Sequence, residues 1–476
     1  MAFLRKHKFS FQLQVLGIAL LLPCLSAAGD DVRLAEAAQR RDIQAVRALL
    51  AEQAAVNGAQ PDGATALAWA AHWNDLETAD LLLRAGADPN AANDYGVSPL
   101  TLACINRSAA LVAKLLEAGA NANAAQENGE TALMTCAHTG NVEAVKLLLA
   151  GGADVNAKEN WQGQTALMWA VAGRHPQVAK ALIDAGADVA AHSKGGFTAL
   201  LFAAQQGDAE SARALLAAGA DINEAGPDGM TPLVLVTASG HGSLAASLLE
   251  KNADPDPADN RGYTALHYAA SRRNQLDLLK ALLAHGADPN PRITKYNRRA
   301  GSITMVGATP LLFAAEAGNI PAIRALVAGG ADPMIRTAEN TTGLALAVGV
   351  GDFQERPESA HRRALETAQV MAELGNEVNA AGEFGWTPLH AAAYLGSDEI
   401  IRFLVERGAR LDVMDGYGQT PLSIASAVIT KGMADYADPR PRRYRKSTVE
   451  LLLALGATPV EASGVEQIGS LAVSQE

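Results

Sequence analysis

A glycine returns every 33 residues or so along most of this chain, and this interval limits the possible folds more than any other feature. The column holds Gly86, Gly119, Gly152, Gly186, Gly219, Gly286, Gly330, Gly375, Gly408 and Gly456, with Asn252 in sixth place. The successive spacings are 33, 33, 34, 33, 33, 34, 44, 45, 33 and 48. Gln53 precedes the column by another 33 residues, so the chain has about twelve copies, three of them lengthened. Such a period predicts small units that stack on their neighbours.

Each copy carries the signals of two short helices. In the second copy, Thr65 can cap a first helix through its side-chain oxygen, and small residues follow it. Leucine and alanine then recur at three- and four-residue steps from Leu76 to Leu83, which predicts an amphipathic second helix. Gly86 follows at the position of a left-handed C-cap, and Asn252 is the kind of non-glycine residue that accepts the same conformation.

Two sequence boxes connect these units to a known family. The Thr-Pro-Leu-His box at Thr387 to His390 and the Gly-Ala-Asp-Pro-Asn box at Gly286 to Asn290 resemble the ankyrin repeat. The resemblance covers nearly all of residues 31–460. It implies an all-α fold, an α-solenoid of about twelve ankyrin repeats with β-hairpin tips. It also implies that His267 and His390 are structural hydrogen-bond partners between repeats.

Residues 1–28 have the pattern of a secretory signal peptide. A basic start with Arg5, Lys6 and Lys8 precedes an apolar run from Val15 to Leu22, which is too short to span a bilayer. Small residues follow at Ser26 to Ala28. We therefore expect a cleaved signal and a periplasmic or secreted protein, with an uncleaved anchor, a tag or a lipoprotein signal at Cys24 as alternatives.

The charge balance restricts the kinds of partner. The formal net charge is −12, and removal of residues 1–28 removes three basic residues and no acid, which gives −15. Because an acidic surface repels phosphate backbones, we expect no nucleic-acid partner.

Two cysteines lie in adjacent repeats. Cys104 and Cys136 could pair in an oxidising compartment. Neighbouring helices generally lie ~8–10 Å apart, whereas a disulfide needs Cα atoms within ~7 Å. We therefore expect two buried free thiols, with a disulfide as the alternative.

Three insertions break the period, near residues 292–306, 353–363 and 429–446. The first replaces a hairpin tip, the second separates the two helices of the tenth copy, and residues 461–476 form a loose C-terminal tail. The first and third insertions carry basic residues that could dock an acidic partner or lipid head groups, or could be solvated loops. These residues are Lys295, Arg298, Arg299, Arg440, Arg442, Arg443, Arg445 and Lys446.

The resemblance also implies a binding face, because ankyrin proteins generally contact partners through the hairpin tips and the exposed end of each first helix. Exposed aromatic residues and arginines are favoured contact residues. The predicted partner-binding residues are Trp73, Tyr95, Trp161, Phe197, Arg261, Tyr263, Arg272, Phe384, Trp386, Tyr394 and Tyr417. The alternative is that each ring packs on the neighbouring hairpin.

The sequence has no pattern of a catalytic, metal or cofactor site. Metal-ligand spacings of Cys and His, a Gly-x-Ser-x-Gly elbow and a phosphate-binding glycine loop are all absent. We therefore predict a monomeric, non-enzymatic protein without cofactors, which acts as a protein-binding scaffold or adaptor exported to the periplasm. The alternatives are an immunity or inhibitor protein that neutralises a toxic enzyme, and a secreted effector that acts on host proteins.

Overall fold

The computed structural model describes residues 31–296, 303–350, 357–427 and 444–459. Within these ranges the chain forms 24 α-helices and one 3-10 turn at Glu383–Gly385, and no extended strand. The helices follow one another in pairs, one pair for each copy of the repeat, which confirms the predicted helical solenoid. The predicted signal peptide at residues 1–28 and the tail at 461–476 lie outside the described residues.

The helices of the first six repeats are α1 (Arg33–Gln39), α2 (Ile43–Ala51), α3 (Ala66–His72), α4 (Leu76–Arg84), α5 (Pro99–Ile105), α6 (Ala109–Glu117), α7 (Ala132–Thr139), α8 (Val142–Ala150), α9 (Ala166–Ala172), α10 (Pro176–Asp184), α11 (Ala199–Gln206) and α12 (Ala209–Ala217). Those of the last six are α13 (Pro232–Ser239), α14 (Gly242–Glu250), α15 (Ala265–Ala270), α16 (Leu276–Ala284), α17 (Pro310–Glu316), α18 (Ile320–Ala328), α19 (Gly343–Val348), α20 (Glu358–Glu373), α21 (Pro388–Leu395), α22 (Asp398–Glu406), α23 (Pro421–Ala425) and α24 (Lys446–Ala454).

The helices begin and end where the repeat pattern predicts. The hydroxyl oxygen of Thr65 accepts the backbone N–H of Ala68 at 3.2 Å and so caps α3. In the glycine column, Asn252 has φ +63° and Gln53 has φ +59°, so both adopt the left-handed conformation that the glycines adopt elsewhere. The prediction that Asn252 replaces a glycine C-cap is confirmed.

The core is shared between repeats. Each first helix buries small side chains and at least one leucine, such as Leu67, Leu133 and Leu266, which are at most 1% exposed. Because the small residues let neighbouring first helices approach closely, one apolar core extends from α1 to the last repeat. A single pair could not bury this surface alone.

Where the Gly-Ala-Asp/Asn-x-Asn loop ends in asparagine, that side chain links its repeat to the next. The amide nitrogen of Asn123 donates to the carbonyl of Gly152 at 2.8 Å, and its oxygen accepts the N–H of Asp154 at 2.6 Å. The aspartates directly after Gly-Ala bond locally instead, since Asp154 accepts the N–H of Asn156 at 2.9 Å. The same bond pattern recurs along the solenoid, so these polar columns are structural.

His390 of the Thr-Pro-Leu-His box and His267 at the equivalent position also connect repeats, as predicted. In His267, Nδ1 accepts the N–H of Thr264 at 3.1 Å, and Nε2 donates to the carbonyl of Ala308 in the next repeat at 3.3 Å. His390 makes the equivalent bonds with Thr387 and with the carbonyl of Gln419. Burial of His267 lowers its pKa to about 4, which keeps the ring neutral near pH 7.

The loops between repeats form short hairpins rather than regular strands. Isolated antiparallel bridges join Ala59 to Thr65, Ala125 to Thr131 and Ala258 to Thr264. Adjacent tips are tied by backbone bonds, such as the one from the N–H of Asp94 to the carbonyl of Asp62 at 3.0 Å. The tips therefore form a continuous row along one edge of the solenoid.

The expectation of two free thiols is wrong. Cys104 in α5 and Cys136 in α7 form a disulfide, and their Cα atoms lie only 4.7 Å apart. The general spacing of packed helices overestimates this distance, because the first helices of adjacent repeats carry small residues such as Ala103 and Ala137 at their contact. Both cysteines are fully buried.

The insertions are partly built into the fold. In the first, Ile293 and Met305 are each 1% exposed and form a small separate core with Leu312 and Phe313. Part of the second insertion lengthens a helix, since α20 begins at Glu358 and has 16 residues. Of the third, only the residues from Tyr444 onward are described.

Candidate protein-binding face

Three of the predicted contact residues are exposed aromatic side chains at hairpin tips. Trp161 is 78% exposed, Tyr95 is 70% exposed and Phe384 is 46% exposed. Tyr95 and Phe384 directly precede the tip glycine of their hairpins, and Trp161 lies two residues before its tip glycine. Large exposed aromatic surfaces on separate hairpins of one row are typical contact points for a protein partner.

Polar side chains at the hairpin base hold these tips in shape. The carboxylate of Glu159, which is buried, accepts the N–H groups of Trp161 at 2.6 Å and of Gln164 at 2.7 Å. The amide oxygen of Asn93 accepts the N–H of Tyr95 at 3.1 Å in the same way. The turns are therefore fixed from inside, and the rings do not supply the turn geometry themselves.

Phe384 has an unusual backbone conformation. Its φ is +61°, in the left-handed region that costs a bulky residue free energy. Its ring lies 5.9 Å from that of Tyr417, which is half-buried at the next tip. Met414, which the sequence analysis did not single out, is 68% exposed on the same hairpin as Tyr417. Its signal was a methionine in a loop column that alanine or a basic residue fills in the other copies, as Ala92 and Lys158 do.

Three other predicted residues are half-buried in the row. The ring of Phe197 lies 5.7 Å from Phe202. The guanidinium of Arg261 lies 5.0 Å from the ring centroid of Tyr263 and 3.5 Å from the carboxylate of Asp259. These residues present only part of their surface, because they also pack on the first helices.

Trp386 and Tyr394 are not exposed, contrary to the sequence expectation. They are 4% and 6% exposed. Trp386 follows the tip glycine, where the chain turns back toward the first helix, and its indole N–H donates to Asp415 at 2.9 Å. The Tyr394 ring packs 5.9 Å from it. The exposed residue of this hairpin is Phe384, so both buried rings belong to the core.

The side chains of two predicted helix-end residues form hydrogen bonds to the backbone of the preceding repeat. Trp73 is 41% exposed, and its indole N–H donates to the carbonyl of Gln39 in the preceding repeat at 3.1 Å. Arg272 is half-buried and donates to the carbonyl of Ala238, also in the preceding repeat. Side chains at the turn between the two helices therefore link repeats, and Trp73 keeps the larger free surface.

The predicted basic loops are described only in part. Lys295 and Lys446 are exposed, whereas Arg445 is half-buried, with its Nε 3.4 Å from the carbonyl oxygen of Tyr394. The other members lie outside the described residues: Arg298, Arg299, Arg440, Arg442 and Arg443.

Two kinds of feature are absent from the described ranges. They hold no group of three His, Cys, Asp or Glu side chains that could bind a metal ion. In the same ranges no helix has both the length and the apolar character needed to cross a bilayer.

Comparison with known proteins identifies the repeat. The family model described as ankyrin repeats in three copies matches residues 34–126, 100–193, 152–225, 200–293 and 359–436, and that of the single ankyrin repeat matches residues 306–338. These matches cover well over half of the chain.

The similar proteins are eukaryotic or viral. Ankyrin repeat and SOCS box protein 3 of Bos taurus is 31% identical over 167 residues, which cover 35% of this chain and 28% of that protein. Human ankyrin repeat and SOCS box protein 16 is 30% identical over 187 residues, which cover 34% of this chain and 40% of that protein. An ankyrin repeat protein of fowlpox virus is 26% identical over 182 residues, which cover 34% of this chain and 90% of the viral protein. The chain thus matches less than half the length of the two mammalian relatives.

Proposed function

Because the chain belongs to the ankyrin repeat family, we propose that it is a protein-binding scaffold or adaptor that holds its partner along the hairpin tips and the adjoining first helices. Ankyrin repeats in general are binding scaffolds rather than enzymes. The observation that carries the proposal is the exposure of Tyr95, Trp161 and Phe384 at three tips of one row.

The physical reason is the cost of leaving such side chains in water. A soluble chain gains nothing from an exposed tryptophan at a turn that a buried carboxylate already fixes, as Glu159 does for Trp161. A bound partner would cover the apolar ring area and leave the indole N–H available for a hydrogen bond. The left-handed Phe384 adds to this argument, since strained residues persist where they serve contact or chemistry.

The relatives support an adaptor role. Two of them combine ankyrin repeats with a SOCS box in their names, so in those proteins the repeats stand beside a second module. We extend only the binding role of the repeats to this chain.

Site-specific crosslinking tests the proposal. A photoreactive phenylalanine analogue in place of Trp161 is expected to join the chain to one protein, and the same analogue in place of Phe384 to the same protein. The matched control carries the analogue in place of Leu453, which is 43% exposed on α24, a second helix. Capture from all three positions alike, or from the control alone, would count against the tip row as the binding face.

We also propose that the chain is exported to an oxidising compartment, the periplasm in a bacterial source. The signal-like pattern at residues 1–28 supports this. The Cys104–Cys136 disulfide supports it independently, because structural disulfides are rare in reducing compartments. Mass spectrometry of the protein from its native cells tests it: a chain that begins near residue 29 is expected, and an intact Met1 with both thiols reduced would refute export.

A further inference from the structure

Tyr95 and Trp161 are the two most exposed aromatic side chains among the described residues. They lie two hairpins apart in the same row of tips. The tips between and beside them are in contact, since a side chain added at Gly96 would lie 3.0 Å from Gln126, and the N–H of Asn160 donates to Asn128 at 2.6 Å. The two rings therefore belong to one continuous surface.

Acidic residues lie on the same hairpins as the two rings or on the neighbouring ones. Asp94 precedes Tyr95 and is exposed, and Asp62 stands at the preceding tip. Glu127 is exposed on the hairpin between the two aromatic tips, and Glu130 is half-buried on the same hairpin. We call this surface the acidic tip face, and it consists of Asp62, Asp94, Tyr95, Glu127, Glu130 and Trp161.

Within the described part of the chain, the acids of this face pair with no cation. In the ion pairs of the described residues, Asp62, Asp94, Glu127 and Glu130 do not take part. The cations at its edge are Lys158, which donates to the carbonyl of His192 at 2.9 Å, and Lys194, which donates to the carbonyl of Asn160. Neither lysine pairs with a carboxylate of the face, and its four acids outnumber these two cations.

The carboxylate of Glu130 has neighbours that act on its charge. Its carboxylate accepts the hydroxyl of Thr135 at 2.9 Å, but burial and the nearby charge of Glu159 raise its pKa. A half-buried carboxylate of this kind is stabilised when a cation approaches it. Aromatic rings also attract cations to their faces, tryptophan most strongly.

We propose that the acidic tip face binds a basic segment of the partner protein, with arginine or lysine side chains placed over the rings of Tyr95 and Trp161 and beside the four carboxylates. The inference rests on the proposed scaffold function and names the class of partner. The net charge of −15 beyond residue 28 favours the same partner, because long-range attraction speeds the encounter with a basic surface.

Fluorescence anisotropy with two defined probes tests the inference. A labelled octa-arginine peptide and a labelled octaglutamate peptide are titrated with the full chain in 0.15 M salt, where distant surface charges are largely screened. We expect the arginine peptide to bind and the glutamate peptide not to bind. Tyr95→Ala and Trp161→Ala should each weaken the arginine peptide at least about fivefold, and Trp161→Phe should weaken it less.

Charge-matched variants separate a local site from overall charge. The tip variant carries Asp94→Asn, Glu127→Gln and Glu130→Gln, and the control variant carries Glu117→Gln, Glu143→Gln and Glu250→Gln on exposed positions of second helices. Both lose three negative charges. We expect at least a tenfold loss of affinity for the tip variant and less than about twofold for the control.

Three results would overturn the inference: equal losses in the two variants, no effect of Trp161→Ala, or no binding of the arginine peptide. If the crosslinker at residue 161 captures a partner through a neutral or acidic segment, the scaffold function stands and this inference fails. If it captures nothing while the arginine peptide binds as described, the scaffold function fails and the basic specificity of the face stands.

Discussion

Cys104 and Cys136 are joined by a disulfide that ties helix α5 of the third repeat to helix α7 of the fourth, at a sequence separation of 32. Both side chains are fully buried at the contact of the two first helices. The bond therefore fixes two neighbouring units of the solenoid to each other and is shielded from solvent reductants.

Replacing both cysteines by alanine is expected to lower the free energy of unfolding by about 2–4 kcal/mol, because the bond restricts the unfolded chain. Alanine is chosen rather than serine, because serine would leave a buried hydroxyl without a hydrogen-bond partner. Urea unfolding of the two proteins measures the difference. Alkylation of the denatured, unreduced protein provides the control, and modification of both cysteines in it would contradict the bond.

The loop asparagines predict a stabilising substitution at Ala190. This residue occupies the position of Asn123 and Asn156 but cannot bond to the next repeat, although its own backbone N–H is held by Asp188 at 3.0 Å as in the other loops. Ala190→Asn should therefore add the missing pair of bonds and raise the free energy of unfolding by about 1 kcal/mol. Asn156→Ala is the matched control and should lower it by a similar amount. If Ala190→Asn leaves the free energy of unfolding unchanged while Asn156→Ala lowers it, the prediction is contradicted, because the loop geometry at residue 190 then differs from that at residue 156.

The buried His267 predicts a loss of stability in acid. Its folded pKa of about 4 lies below the ordinary value near 6.5, so between these pH values the unfolded chain takes up a proton that the folded chain does not. Stability should fall as the pH drops from 6.5 to 4, by about 2 kcal/mol between pH 7 and pH 5 from this residue. The difference in urea unfolding between the parent and His267→Gln at the two pH values isolates the effect. Parallel pH dependences of the two proteins would rule out the lowered pKa.

Trp386 and Trp161 predict opposite outcomes for the same substitution. Trp386→Ala removes a buried ring and its bond to Asp415, and should cost about 3–5 kcal/mol of stability. Trp161→Ala removes an exposed ring and should change stability by no more than about 0.5 kcal/mol. Urea unfolding measures both, and similar costs for the two variants would contradict the assignment of Trp386 to the core.

The period alone was sufficient to predict the solenoid, because the capping threonines, the glycine column and the small residues of the first helices all act locally. The resemblance to the ankyrin repeat, rather than the period, implied the inter-repeat bonds of His267 and His390. The exposure of single tip residues was harder to predict. Phe384 and Trp386 are two residues apart, yet only the first is exposed, since the direction of a side chain in a hairpin depends on which residues adopt positive φ.

The disulfide and the core of the first insertion were also hard to predict from the sequence. A general distance between packed helices could not reveal how closely alanine-rich helices approach, so the pairing of Cys104 with Cys136 was kept only as the alternative. Likewise, nothing in the local pattern indicated that Ile293 and Met305 would form a common core with Leu346, which lies in the next repeat. Both features depend on contacts between units rather than on the pattern within one.

Hydroxyl-radical footprinting of the chain with and without its captured partner tests the central claim most directly. The account predicts that oxidation of Tyr95 and Trp161 at the tips decreases on binding, while that of exposed residues away from the tips, such as Tyr444 and Leu453, stays unchanged. Protection confined to the second helices or to α24, with Tyr95 and Trp161 as reactive as before, would contradict it.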